Sequence, residues 1–197
     1  MDSTMTLSRR EFLKVSAAVG GGFALQIAVP VDAAPRELSR AEVNAWVLIR
    51  TDDIVWIRYA RSEMGQGSMT SAPMLVAEEL ECDWSKVRVE YASANENVRR
   101  KRVWGDMAAV GSRTIRLSQE YLRKGGAMAR EMLIAAAAQE WNVPAAECSA
   151  AASVITHVPT GRKTSFGKVA AAAAKLEPPK DVKLKDPKDW KIIGKPI

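Results

Sequence analysis

Trp46-Val47-Leu48-Ile49-Arg50 and Ile54-Val55-Trp56-Ile57-Arg58-Tyr59 are runs of β-branched and aromatic residues around the turn-forming Thr51-Asp52-Asp53, which predicts a β-hairpin. A short loop over 61–68 leads into 69–80, where Met69, Met74, Leu75, Ala77 and Leu80 form a partial helical stripe. Proline fits a helix best in its first turn, so Pro73 sets the expected start of this helix near Ala72. Lys86-Val87-Arg88-Val89-Glu90-Tyr91 alternates strictly and predicts a half-buried strand. An alanine-rich helical region over 112–141 follows, with Gly125-Gly126 as a break or a point of close packing. Val154-Ile155-Thr156 predicts a short strand, Gly161-Arg162 a turn, and Ser165 the N-cap of a helix through Leu176. Strands alternating with helices indicate an α/β fold of the α+β type.

Both ends of the chain differ from this pattern. Ser8-Arg9-Arg10-Glu11-Phe12-Leu13-Lys14 precedes an uncharged stretch over 15–31 that closes at Asp32-Ala33-Ala34. A charged start, an apolar middle and a small-residue exit are the parts of an export signal. The twin arginines followed by Phe12-Leu13-Lys14 resemble the twin-arginine (Tat) signal, so residues 1–34 are read as that signal, with removal expected near Ala33 or Ala34. The other reading is a weak membrane anchor that is never cleaved. The apolar stretch contains Gly20, Gly21, Gly22 and Gln26 and is shorter than the roughly 20 apolar residues of a spanning helix. At the other end, residues 175–197 are rich in lysine and include Pro178, Pro179, Pro187 and Pro196, as in an extended linker crossing a surface. Trp190, Ile192 and Ile193 would be odd in a frayed tail and call for a surface to dock on.

Composition narrows the chemistry. The 197 residues suit one domain with appendages, here 35–174 between the signal and the linker, and 47% hydrophobic with 26% charged residues is a globular balance. Two cysteines cannot build a disulfide framework, and Cys82 and Cys148 are read as small buried side chains rather than a bridge. The single histidine, His157, excludes a multi-histidine metal site and is read as structural. Net charge is +6, and Arg99-Arg100-Lys101-Arg102 is its densest cluster, read as a solvated loop. Without interleaved aromatics this is a poor nucleic-acid surface.

Two glycine-containing loops concentrate the remaining chemistry. Glu63-Met64-Gly65-Gln66-Gly67 lies between a strand and a helix, where glycine lets backbone approach a ligand and the helix N-terminus offers N–H groups to an anion. Gln66 adds an amide that both donates and accepts, suited to a flat heterocycle. The other reading is a plain tight turn, since the third glycine of a dinucleotide fingerprint is missing. Gly111-Ser112-Arg113-Thr114 opens the long helical region, where Arg113 or Arg116 could neutralise a phosphate. Simple N-capping by Ser112 is the plainer reading of that loop. Glu78 and Glu79 are read as charges on the helix surface.

The stretch Arg61-Ser62-Glu63-Met64-Gly65-Gln66-Gly67, with Thr70 and Pro73-Met74-Leu75-Val76-Ala77-Glu78-Glu79-Leu80, resembles the molybdopterin-binding subunit of the xanthine oxidase superfamily. More narrowly, the chain is similar to the N-terminal portion of the large (beta) subunit of isoquinoline 1-oxidoreductase and of exported aldehyde dehydrogenases. Asp83-Trp84, Val87-Arg88-Val89, Glu147-Cys148, Gly161-Arg162 and residues 190–196 extend the likeness over essentially the whole chain. The resemblance implies contact with a molybdenum–molybdopterin cytosine dinucleotide at Gly65, Gln66, Gly67, Thr70, Gly111 and Ser112. It also implies a small iron–sulfur subunit carrying 2Fe-2S clusters, a cytochrome c subunit as a further partner, and oxidation of an aldehyde or N-heteroaromatic compound in the periplasm, with association to the inner membrane. Where the family has Thr-Gly-Gly-Ser, this chain has Ala109-Val110-Gly111-Ser112, placing a β-branched residue beside the expected ligand. The family's catalytic glutamate lies in later segments, so no catalytic residue and no metal ligand is assigned, and the isolated chain is expected to be inactive. The alternatives are a non-catalytic exported interaction protein and one half of a split molybdenum enzyme.

Overall fold

A computed structural model of the chain describes residues 39–196; the export signal expected over residues 1–34 lies outside the described residues. The expected hairpin forms. Strands β1 (Arg40–Glu42), β2 (Val47–Arg50) and β3 (Val55–Tyr59) run antiparallel in sequence order. After β3 the chain enters helix α1 (Ser68–Leu80) and returns as β4 (Val87–Tyr91), parallel to β3 with Val55 opposite Val87 and Tyr59 opposite Tyr91. This crossover puts the first glycine loop between the end of β3 and the start of α1.

Helix α1 starts four residues before Ala72, leaving Pro73 inside it. A proline there removes only the bond to the Met69 carbonyl. The first turn is fixed from outside: Ser71 N–H donates to the Gly67 carbonyl at 3.2 Å and Met69 N–H to Glu63 at 2.7 Å. The long helical region is also divided. Helix α2 (Ala94–Arg99) and an irregular stretch precede a single turn, α3 (Arg113–Arg116), and the main helix α4 runs over Gln119–Trp141. Gly125-Gly126 is a point of close packing, not a break. A Cβ on Gly126 would lie 2.2 Å from the Val76 carbonyl oxygen, so α4 meets α1 here at a distance only glycine allows.

A second antiparallel sheet follows, made of β5 (Cys148–Ala151), β6 (Val154–His157) and β7 (Lys163–Ser165), and then α5 (Phe166–Ala173). Ser165 occupies the N-cap position of α5 without a side-chain bond. The hairpin turn caps the helix instead, with Asp53 Oδ1 accepting Gly167 N–H at 2.7 Å. Val47, Ile49, Val55 and Ile57 of the first sheet join Leu75 and Val76 of α1, Leu133 of α4 and Phe166 of α5 in one apolar core. His157 is buried, with Nδ1 2.7 Å from Thr160 Oγ1 and Nε2 2.9 Å from Glu147 Oε2, a structural bracket between β6 and its neighbours. Both cysteines are free thiols, and burial pushes that of Cys82 up to about 12, which makes it inert. The arginine cluster is only partly solvated: Arg100 pairs with Glu42 at 2.7 Å and lies over Trp104.

Glu78 and Glu79 are not surface charges; their residues are 1% and 0% exposed. The tail covers them. Glu78 Oε2 accepts N–H bonds from Lys191, Ile192 and Ile193 at 3.0, 2.7 and 3.1 Å, while Lys185 Nζ pairs with Oε1. Glu79 accepts Lys185 N–H at 3.0 Å and pairs with Arg123 at 2.7 Å. Burial alone would push the Glu78 carboxyl up. The Lys185 ammonium and the three N–H donors outweigh it, and the net result is below the ordinary glutamate value. Trp190, under the Arg123 guanidinium, and Ile192 thereby dock as the tail's anchors.

Candidate functional site

In the first loop Gly65 and Gly67 take φ of 91° and 76°, left-handed values that favour glycine, and each leaves open space where a Cβ would stand. The loop wraps around its own Glu63. Oε1 accepts Gly65 N–H at 2.8 Å and Gly67 N–H at 3.0 Å, and Oε2 accepts Met69 N–H. Bonds from Met69, then from Gly67 and Gly65, hold this carboxyl below the usual glutamate range against the upward push of desolvation. Gln66 also turns inward: Oε1 accepts Met64 N–H at 2.6 Å, and Nε2 donates to the Ser62 carbonyl at 2.9 Å and to Ser68 Oγ at 2.6 Å. Ser68 is buried and bonded in turn to Tyr59 Oη at 2.6 Å. The amide expected to read a heterocycle is therefore engaged inside the loop, and the Gly65, Gly67 and Met69 N–H groups already face an anion, the Glu63 carboxylate.

The second loop is built differently. Gly111 and Ser112 adopt φ of 54° and 59°, and Ser112 stands before α3 without a side-chain cap bond, so N-capping does not account for it. Among the described residues the N–H groups of Gly111 and Ser112 and the Ser112 hydroxyl have no hydrogen-bond partner. Val110 does not need a left-handed backbone, and its β-branch is accommodated with the side chain 59% exposed. Its carbonyl accepts Arg113 N–H at 3.0 Å. Arg116 reaches back to the Gly111 carbonyl at 3.3 Å, bringing positive charge to this wall.

The two loops face each other across an open cleft of about 380 Å³ whose lining includes Gln66, Ser68, Val110, Gly111, Ser112 and Arg113. Of the residues assigned from sequence, Gln66, Gly111 and Ser112 line this cleft. Gly65 and Gly67 shape the first loop behind it. Thr70 is exposed, is not part of the lining, and gives its N–H to the Gly67 carbonyl at 3.2 Å. Sequence reasoning missed Glu63 as the loop's organiser; its signal is an acid shortly before two glycines at a helix start. An apolar groove of about 500 Å³ beside α4, lined by Met132, Ile134, Leu176 and Pro179 among others, shares no residue with the cleft. Among the described residues no group of three or more His, Cys, Asp or Glu is arranged to hold a metal ion.

The cleft suits a phosphate-bearing, partly planar group. Unpaired N–H donors and a hydroxyl line one wall, open space lies over Gly111, and exposed Met64 and Val110 supply apolar contact. A family model described as the molybdopterin cofactor-binding domain matches residues 8–194. The chain is 34% identical over 174 residues to isoquinoline 1-oxidoreductase subunit beta of Brevundimonas diminuta, covering 86% of this chain and 22% of that protein. It is 30% identical over 172 residues to the membrane-bound aldehyde dehydrogenase [pyrroloquinoline-quinone] of Gluconacetobacter polyoxogenes, covering 84% and 21%. The crystal structure of quinoline 2-oxidoreductase from Pseudomonas putida 86 aligns at 18% identity with a TM-score of 0.49, over 64% of this chain and 15% of that one. The chain spans about a fifth of the length of the curated relatives it matches. With nearly its whole length inside the family match, the chain belongs to the molybdopterin cofactor-binding domain family.

Proposed function

We propose that this chain forms part of the cofactor cradle of an exported molybdenum hydroxylase subunit and holds the dinucleotide of molybdopterin, in its cytosine form, in the cleft between the two glycine loops. The observation that carries this reading is the set of unpaired donors at Gly111 and Ser112 facing the pre-folded first loop. When bound, such a cofactor supplies the redox chemistry that oxidises an aldehyde or N-heteroaromatic carbon, the substrate classes in the names of the two relatives. The chain's own part is positional. Gly111 and Ser112 donate N–H bonds to phosphate oxygens, Arg116 offsets their charge, and Met64 and Val110 cover the flat portion. Glu63 acts within the first loop, fixing three N–H groups so that the loop holds its shape behind the cleft. No residue here is assigned as the base. Electrons would leave through a small 2Fe-2S subunit and onward to a cytochrome c, in the periplasm after Tat export.

The test is the cofactor content of the full chain purified from a host that makes molybdopterin cytosine dinucleotide. Near-stoichiometric molybdenum, with cytidine nucleotide released by acid, is the expected result. A chain free of both, from cells whose other molybdenum enzymes are loaded, would overturn the reading. One observation favours a second reading, a scaffold that keeps the fold without the cofactor: the Gln66 side-chain amide and the N–H groups of Met64, Gly65, Gly67 and Met69 are satisfied internally. That scaffold would bind neither molybdenum nor nucleotide while still docking a partner subunit.

A further inference from the structure

A single buried arginine ties the two walls of the cleft together. Arg61 stands just before the first loop, and its side chain is 9% exposed. Nη1 pairs with Asp106 and donates to the Ala108 carbonyl at 2.8 Å, while Nη2 donates to Tyr121 Oη at 3.1 Å. Asp106 in turn accepts Ala108 N–H at 3.1 Å and pairs through Oδ2 with Arg113 Nη1 at 3.2 Å. One carboxylate thus stands between an arginine rooted in the first wall and another rooted in the second, with residues 107–112 slung between them. That segment has little regular structure of its own, and Met107, Gly111 and Ser112 are all left-handed.

We propose that Arg61 and Asp106 are positioning residues that set the spacing of the two walls and the aim of the Gly111 and Ser112 N–H groups. The planar guanidinium holds a carboxylate, a carbonyl and a phenol at once, which an ammonium at the same place cannot reproduce. Arg61→Lys therefore keeps the charge and loses the alignment. Asp106 is half exposed, so its replacement tests the tie without emptying the core. The effect on cofactor retention rests on the cradle reading above; the effect on the loop does not.

The experiment follows amide hydrogen exchange in the unloaded full chain at residues 113–117, whose acceptors include the Val110 and Ser112 carbonyls of the second wall. Arg61→Lys and Asp106→Asn are expected to speed exchange there about tenfold and leave the middle of α4 unchanged. Asp106→Glu, which restores a carboxylate, is expected to recover most of the protection. In the loaded chain the first two variants should lose molybdenum about tenfold faster than wild type, and Asp106→Glu should not. Unchanged exchange at 113–117 in both variants overturns the tie. So does equal cofactor retention in wild type and Arg61→Lys, and in that case the cradle reading stands. A wild-type chain that never loads cofactor sinks the cradle reading alone, and the exchange result still decides the tie.

Discussion

Each end of α1 meets a carboxylate ringed by main-chain N–H groups, and the two stand in opposite surroundings. At the N-terminal end half-buried Glu63 receives Gly65, Gly67 and Met69 from its own loop. In the last turns buried Glu78 receives Lys191, Ile192 and Ile193 from more than a hundred residues away, with Lys185 as counter-ion. The chemistry is the same and the energetic weight is not. A buried carboxylate that loses its donors, or donors that lose it, face a full desolvation cost, whereas water replaces the partners of an exposed one. The tail-covered end of α1 is therefore locked, while the cleft end is ordered but free to adjust.

The strongest way to break this comparison is Glu78→Ala. Three tail N–H groups would lose their acceptor in a site that is 1% exposed, and Lys185 would keep only Glu81 as carboxylate partner, so the expected loss is about 3 kcal/mol in denaturant unfolding. Early proteolysis in residues 183–193 should accompany it. Gly126→Ala is expected to cost about 2 kcal/mol, because the added methyl meets the Val76 carbonyl and forces α4 off α1 between the two ends. Acid separates the ends next. Glu78 is held below its ordinary value of 4.5, so its contribution is complete above that pH and is lost as pH falls through the lower folded value. A pH series of unfolding midpoints should show stability falling below about pH 4.5 in wild type, with a smaller fall in Glu78→Gln. Glu63→Ala is expected to speed amide exchange at Gly65, Gly67 and Met69 about tenfold with the global midpoint nearly unchanged. Ser112→Ala should alter stability by no more than about 0.5 kcal/mol, since the hydroxyl caps nothing.

What could be read in the sequence was local. The hairpin at Thr51-Asp52-Asp53, the alternating β4 and the close-packed Gly125-Gly126 follow from side-chain patterns within a few residues. The start of α1 escaped because Pro73 outweighs Ser68 in any propensity argument, whereas the helix is set by Glu63 and the Gly67 carbonyl. Glu78 and Glu79 read as surface because the tail that covers them is more than a hundred residues away in sequence. The two cleft loops were legible as glycine motifs, but not that one turns its Gly65, Gly67 and Met69 N–H groups inward while the other, among the described residues, leaves those of Gly111 and Ser112 without a partner. Arg61 was visible only as part of a motif, since Asp106, which it meets, lies 45 residues on.

The central claim is that the second wall supplies the donors and the first wall comes already folded. It is tested most directly by comparing amide exchange in the cofactor-loaded and unloaded full chain, resolved at Gly111, Ser112, Gly65 and Gly67. The account predicts that loading slows Gly111 and Ser112 by at least about tenfold and leaves Gly65 and Gly67 as they were. Protection gained at Gly65 and Gly67, with Gly111 and Ser112 unchanged, would contradict it.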